Sequence, residues 1–78
     1  MDKTASELVY VITHSDNVKR RQDAADTLFG IIPSLDEDTI SKVIREMTYV
    51  ITHSDNEVRR KLAQQVLITF KNAQSMNL

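Results

Sequence analysis

Two identical turns carry the side chains of this sequence that could do chemistry. Residues 13–16 and 52–55 both read Thr-His-Ser-Asp, which holds the hydroxyl, imidazole and carboxylate of a hydrolytic triad. In a triad the base receives the nucleophile's proton and an acid orients the base, and residues adjacent in one turn rarely converge in that way. With one glycine in the chain, there is no glycine-rich elbow to form an oxyanion hole. We therefore interpret serine and aspartate as helix caps and predict a protein that is not an enzyme.

The histidines of the two turns, His14 and His53, suggest a zinc site as a second chemistry. Equivalent positions of stacked helical repeats lie roughly 10 Å apart, whereas a ligand nitrogen lies about 2.1 Å from zinc. Both side chains would have to turn toward each other and recruit Asp16 or Asp55. A histidine that ends a helix, where the helix dipole favours its charged form, is the simpler interpretation. We expect no metal and no other cofactor.

Basic triplets follow both turns and are the strongest candidates for binding. They are Lys19, Arg20 and Arg21 after the first turn and Arg59, Arg60 and Lys61 after the second. Each triplet lies in the first turn of a predicted helix, where free N–H groups also attract phosphate or an acidic protein surface. Neighbouring carboxylates and a lack of interleaved aromatic residues count against nucleic acid. The plainest interpretation is a solvated face with internal ion pairs. Among binding functions, an acidic protein partner is favoured over nucleic acid.

These motifs occur twice because the sequence contains an internal repeat. Residues 10–17 read Tyr-Val-Ile-Thr-His-Ser-Asp-Asn and recur unchanged as residues 49–56, an offset of 39. Within the repeat, apolar residues follow helical spacing, as in Ile40, Val43 and Met47. One structural unit is therefore used twice, and each unit contains two amphipathic helices.

Capping residues and Pro33 indicate where the helices begin and end. Three segments fit the capping box, starting at Thr4, Ser34 and Ser54, and Asp16 can cap the remaining helix. Pro33 lacks an N–H and ends the second helix. The sequence therefore predicts an all-α fold of four helices arranged as two tandem antiparallel helical hairpins. The predicted helices are 5–13, 17–31, 35–52 and 55–72. The predicted single domain, 1–78, comprises repeat one (4–32), a linker (33–35), repeat two (36–71) and a frayed tail (72–78).

The second copy of the turn resembles HEAT repeats. Residues 55–59 read Asp-Asn-Glu-Val-Arg, with Ala63 and Leu67 following, which is similar to the family's Asp-x-x-Val-Arg-x-x-x-Ala-x-x-x-Leu pattern. The first copy departs from this pattern because its valine, Val18, stands one place early. The resemblance implies a binding scaffold without indicating a particular partner. It also implies a bond between the turn aspartate of one repeat and the helix arginine of its neighbour. Those residues correspond to Asp16 and Asp55 as acceptors and to Arg20 and Arg59 as donors.

Apolar side chains outnumber those that two short hairpins can easily bury. Two repeats leave two uncovered ends, whereas solenoids generally need at least three repeats with polar caps. Some of the large side chains are therefore expected to form a homodimer or a partner interface, although all of them could simply complete the core. The candidates are Tyr10, Phe29, Ile31, Tyr49, Ile68 and Phe70.

Composition narrows the class of protein further. The net charge of −1 gives no overall attraction to nucleic acid or to membranes. No apolar run approaches the roughly 20 residues that span a bilayer, and the absence of cysteine suits a reducing compartment. We therefore expect a soluble, cytoplasmic protein that binds another protein and no membrane. It would act as a small regulator, adaptor or inhibitor, with a nucleic-acid-binding regulator as the alternative.

Overall fold

A computed structural model describes residues 3–76 as four α-helices joined by short turns. Helix α1 spans Lys3–His14, α2 spans Val18–Ile31, α3 spans Glu37–His53 and α4 spans Glu57–Met76. A turn of 3-10 helix, Ile32–Ser34, follows α2. No strand occurs within residues 3–76. The all-α prediction of four helices is confirmed.

The observed helix ends lie within two residues of the predicted ones except at the carboxyl end of the chain. Helix α2 ends at Ile31, and Pro33 lies in the 3-10 turn that follows, where its missing N–H costs little. Helix α4 continues through residues 72–76, which we predicted to fray. Gln74 donates from its Nε2 to the Ser41 hydroxyl over 3.4 Å and so ties this end of α4 to α3. Residues 77 and 78 lie outside the described part of the chain.

Three helices begin at a different capping residue from the predicted one. Asn17, Asp36 and Asn56 each accept a hydrogen bond from the backbone N–H three residues later, over 3.0, 2.8 and 3.1 Å. The caps predicted at Asp16, Ser34 and Ser54 are therefore wrong. The capping box at Thr4 is wrong as well, because α1 already begins at Lys3. Asparagine and aspartate rank with serine as caps, so the cap falls where the backbone becomes helical.

Each repeat forms one helical hairpin. Helix α1 packs mainly against α2, and α3 packs mainly against α4. The two hairpins share one core, because the buried residues of all four helices form a single cluster. Its members are Ala5, Val9, Ile12, Ala24, Ala25, Leu28, Ile40, Val43, Met47, Leu62, Ala63, Val66 and Phe70.

Equivalent positions of the two repeats differ in burial, which shows how one repeat covers the other. Val9 and Ala25 of repeat one are buried, whereas their counterparts in repeat two, Thr48 and Gln64, are exposed. Val9 lies on α1 and Ala25 on α2, and both of these helices contact α4 of the neighbouring repeat. The outer end of repeat two therefore carries polar residues where the inner surface of repeat one is apolar.

The outer end of repeat one shows the reverse pattern. Leu62 and Val66 of repeat two are buried, whereas their counterparts Asp23 and Thr27 are exposed. Both ends of the stack thus carry polar substitutions of the kind that cap longer solenoids.

Candidate binding groove

The Thr-His-Ser-Asp turns use their polar groups to build local structure. His14 Nδ1 lies 3.2 Å from the Tyr10 carbonyl and 2.8 Å from the Thr13 hydroxyl, and its ring stacks on Tyr10. The Ser15 hydroxyl accepts from the Asn17 N–H over 3.1 Å. The second turn repeats the arrangement with His53, Tyr49 and Ser54. The imidazole and the serine hydroxyl therefore have separate partners in both turns. The hydroxyl beside each imidazole is that of threonine, which also bonds to a carbonyl one helical turn earlier.

Both histidines are the last residues of their helices, α1 and α3, as the simpler interpretation expects. Within the described part of the chain, no three histidine, cysteine or acidic side chains are placed to hold one metal ion.

Arg59 joins the two repeats at the end of α1. Its Nη1 donates to the Thr13 carbonyl over 3.0 Å, and its Nη2 donates to the Ser15 carbonyl over 3.3 Å. The same Nη2 lies 2.7 Å from Asp16 Oδ1. The carbonyls at a helix end lack helical partners and carry partial negative charge, so a guanidinium there is favourable. The contact between Asp16 and Arg59 is the one that the resemblance implies.

The other two residues for which the resemblance implies such a contact, Arg20 and Asp55, do not make it. Arg20 and Asp55 are exposed, and neither side chain makes a hydrogen bond or ion pair within residues 3–76. Within residues 3–76 the implied pairing therefore occurs once, and we call this contact between Asp16 and Arg59 the rung.

Arg21 is buried, whereas the plainest interpretation of the basic triplets was a solvated face. The residue is 3% exposed. Its Nη1 donates to the Ser15 carbonyl over 3.0 Å, and its buried Nε has no hydrogen-bond partner. No carboxylate within residues 3–76 forms an ion pair with it. Among the other triplet residues, Arg59 is half-buried in the rung, and Lys61 lies 3.6 Å from Glu57. Lys19, Arg20, Arg60 and Lys61 are exposed.

A groove of about 560 Å³ runs between α2 and α4. Three of its residues, Val18, Val58 and Ile68, are apolar and more than half exposed. Leu62 adds a buried apolar surface, and the polar lining consists of cations and amides without any carboxylate. The polar lining residues are Arg21, Gln22, Lys61, Gln64 and Gln65. We call this surface the α2–α4 groove.

The predicted apolar interface is only partly exposed. Phe70 is fully buried in the core, so its assignment to an interface is wrong. Phe29 and Ile31 are half-buried against the core. Tyr10 and Tyr49 are more than half exposed, and each is stacked on a histidine. Ile68 is exposed as well and belongs to the α2–α4 groove.

Val18 and Val58 were not predicted as surface residues from the sequence. Val58 has the helical spacing of an apolar stripe with Leu62, Val66 and Phe70, yet those three are buried and Val58 is exposed. The one available signal was position, because Val18 and Val58 both lie in the first turn of the second helix of their repeat.

No helix of the described chain has the length and apolarity to cross a bilayer. No protein-family model, curated protein or solved structure matches this sequence.

Proposed function

We propose that the chain is a non-catalytic protein-interaction module whose binding surface is the α2–α4 groove. It would serve as a small regulator, adaptor or inhibitor. The observation that carries the proposal is the clustering of Val18, Val58 and Ile68, each more than half exposed, along one groove. Exposed apolar residues that are grouped and rimmed by polar side chains are typical of protein-binding surfaces.

A homodimer is a second part of this proposal, and it uses a different surface. Tyr10 and Tyr49 occupy equivalent positions on α1 and α3, and both are exposed. Tyrosine is enriched at interfaces because it offers a large apolar body with a polar end. Of the six apolar residues predicted as interface candidates, we propose these two as the self-interface, which leaves the α2–α4 groove open to a partner.

Nucleic acid is the alternative ligand, and the burial of the arginines weakens the support for it. Arg21 and Arg59 point their guanidinium groups at carbonyls of the chain itself, so the two triplets present fewer cations than their sequence suggests. The exposed cations that remain, Lys19, Arg20, Arg60 and Lys61, have no exposed aromatic residue between them for base stacking.

The test compares three forms of the full chain as bait. They are the wild type, a groove variant (Val58→Ala with Ile68→Ala) and a tyrosine variant (Tyr10→Ala with Tyr49→Ala). Proteins captured from a cell lysate are purified and measured again one by one against each form. The proposal expects a partner whose affinity falls at least about tenfold with the groove variant and little with the tyrosine variant.

Two results would overturn the proposal. One is a purified partner that binds the groove variant as tightly as the wild type. The other is preferential binding of RNA or DNA oligonucleotides with affinity that falls steeply with salt, because phosphate contacts release counterions. As a control, circular dichroism of each variant tests whether the fold is retained.

A further inference from the structure

Within residues 3–76, Arg21 is a buried cation without a counter-ion. It is 3% exposed, its Nε has no partner among these residues, and the side-chain hydrogen bond that it makes goes to a neutral carbonyl, that of Ser15. Removing an arginine from water is costly unless an anion and further hydrogen bonds compensate. Such an unsatisfied group in a folded chain calls for an explanation.

Its counterpart in repeat two shows that this burial is not a property of the repeat itself. Arg60 stands at the same position of α4 and is exposed. Arg21 is covered because repeat two lies beside it, and that is where the α2–α4 groove forms. The cation is therefore buried at the junction where the apolar groove lies.

The α2–α4 groove carries the positive charge that would attract a carboxylate. Arg21 and Lys61 both line it, and no aspartate or glutamate of residues 3–76 does, although the chain as a whole carries a net charge of −1. Lys61 lies 3.6 Å from Glu57, but both side chains are exposed and such a pair is weak. Because Arg21 is already desolvated in the free protein, a bound anion would not have to strip water from it. A charge-assisted hydrogen bond to an arginine is also stronger than a neutral one.

We propose that the α2–α4 groove recognises a protein segment in which an acidic residue stands beside an apolar one. The carboxylate is held by Arg21 and Lys61, and the apolar side chain lies among Val18, Val58 and Ile68. The inference rests on the proposed function and adds the chemistry of the partner. A free phosphate would leave the apolar residues without a role, which is why the ligand is a peptide segment.

The test is a selection of random peptides displayed on phage against the immobilised full chain. The strongest binders are synthesised in two forms, one as selected and one with each Asp or Glu replaced by Asn or Gln. We expect binders that carry a carboxylate near an apolar residue and lose about tenfold or more in affinity when it becomes an amide. The variant Arg21→Met should abolish that difference, and the matched control Arg60→Met should retain it. If Arg21→Met does not fold, Lys61→Met provides the same comparison.

The outcomes separate this inference from the proposed function. Peptides that need Val58 and Ile68 but bind equally as acid and as amide would overturn the carboxylate inference and leave the interaction module standing. Peptides that bind Val58→Ala with Ile68→Ala as well as the wild type would overturn both, and so would a selection that yields no binder.

Discussion

Arg21 and Arg59 donate to the same oxygen. The Ser15 carbonyl accepts from Arg21 Nη1 over 3.0 Å and from Arg59 Nη2 over 3.3 Å. One arginine comes from α2 and the other from α4, so the second helices of both repeats are fastened to the end of α1. Asp16 pairs with Arg59, and its side chain is 98% exposed. Arg21 forms no ion pair with a carboxylate of residues 3–76. The junction of the repeats is therefore rich in positive charge, and its hydrogen bonds go mainly to carbonyls.

The variant Arg59→Ala should destabilise the fold. It removes two hydrogen bonds to carbonyls and the contact with Asp16. Hydrogen bonds from a charged donor are each worth about 1.5–3 kcal/mol. Because Arg59 is only half-buried, water can partly replace its two bonds, and we expect a loss of about 2–4 kcal/mol in the free energy of unfolding. Urea unfolding followed by circular dichroism measures it. The matched control is Arg20→Ala, which removes the equivalent arginine of repeat one and should cost less than about 0.5 kcal/mol. Equal losses from the two variants would contradict the single-rung description.

The variant Asp16→Ala should cost much less than Arg59→Ala. The aspartate is almost fully exposed, and ion pairs at such positions contribute about 0–1 kcal/mol. The same unfolding experiment, repeated at high salt, should show a small loss for Asp16→Ala that salt reduces further. A loss as large as that of Arg59→Ala would mean that the carboxylate, and not the carbonyls, holds the junction.

Arg21→Met should leave the fold as stable as the wild type or more so. Replacing a buried charge by an apolar side chain of similar length is often neutral or stabilising. The Ser15 carbonyl keeps its hydrogen bond from Arg59 in this variant. Thermal unfolding measures the effect against Arg60→Met, the equivalent change at an exposed position. A loss of more than about 2 kcal/mol beyond that control would assign Arg21 a structural role and remove the argument for a ligand.

Stability should depend on pH through the cap of α3. Hydrogen bonds from the side chain and then the backbone N–H of Thr39 lower the pKa of Asp36 below its ordinary value. Because the pKa is lower in the folded chain, this stabilisation is complete above the ordinary aspartate pKa of about 3.9 and is lost as pH falls through the folded pKa. Asp36→Asn keeps a capping side chain that does not titrate. Its free energy of unfolding should therefore fall less steeply than that of the wild type below about pH 4. Urea unfolding at a series of pH values measures both proteins. If their free energies of unfolding fell in parallel below about pH 4, the titration of Asp36 would not contribute to the pH dependence of stability.

The homodimer predicts a solution mass near twice the 8.9 kDa of one chain. Light scattering across a dilution series, at low and high salt, measures it. Tyr10→Ala with Tyr49→Ala should shift the mass toward that of the monomer, and Val58→Ala with Ile68→Ala should not. A mass of one chain at every concentration would contradict the proposed homodimer, and Tyr10 and Tyr49 would then not form a self-interface.

Local sequence was enough to predict the helices but not the environment of each side chain. The identity of residues 10–17 with 49–56, the apolar spacing and Pro33 predicted four helices, and α2 ends at Ile31 as expected. The capping residues were misplaced because Asp16 and Asn17 are adjacent and both can cap a helix. In both turns the asparagine is the cap, Asn17 and Asn56, although only the aspartate of the first turn, Asp16, contacts an arginine.

Burial at the junction could not be read from local sequence, because equivalent residues have different neighbours there. Arg21 and Arg60 occupy the same place in two copies of one motif, yet one is buried and the other exposed. Phe70 is buried, and its counterpart Ile31 is half-buried. In each pair, the difference comes from the side on which the other repeat lies. The α2–α4 groove is itself made by both repeats, so no single copy of the motif predicts it.

The most direct test of the account is to map where a selected peptide binds on the isotope-labelled full chain by NMR. The central claim is that the α2–α4 groove is the binding surface. It predicts that the largest chemical-shift changes fall on Val18, Val58, Ile68 and the Nε–H of Arg21, with small changes at Tyr10 and Tyr49. Largest changes at the two tyrosines, with the groove unchanged, would contradict it.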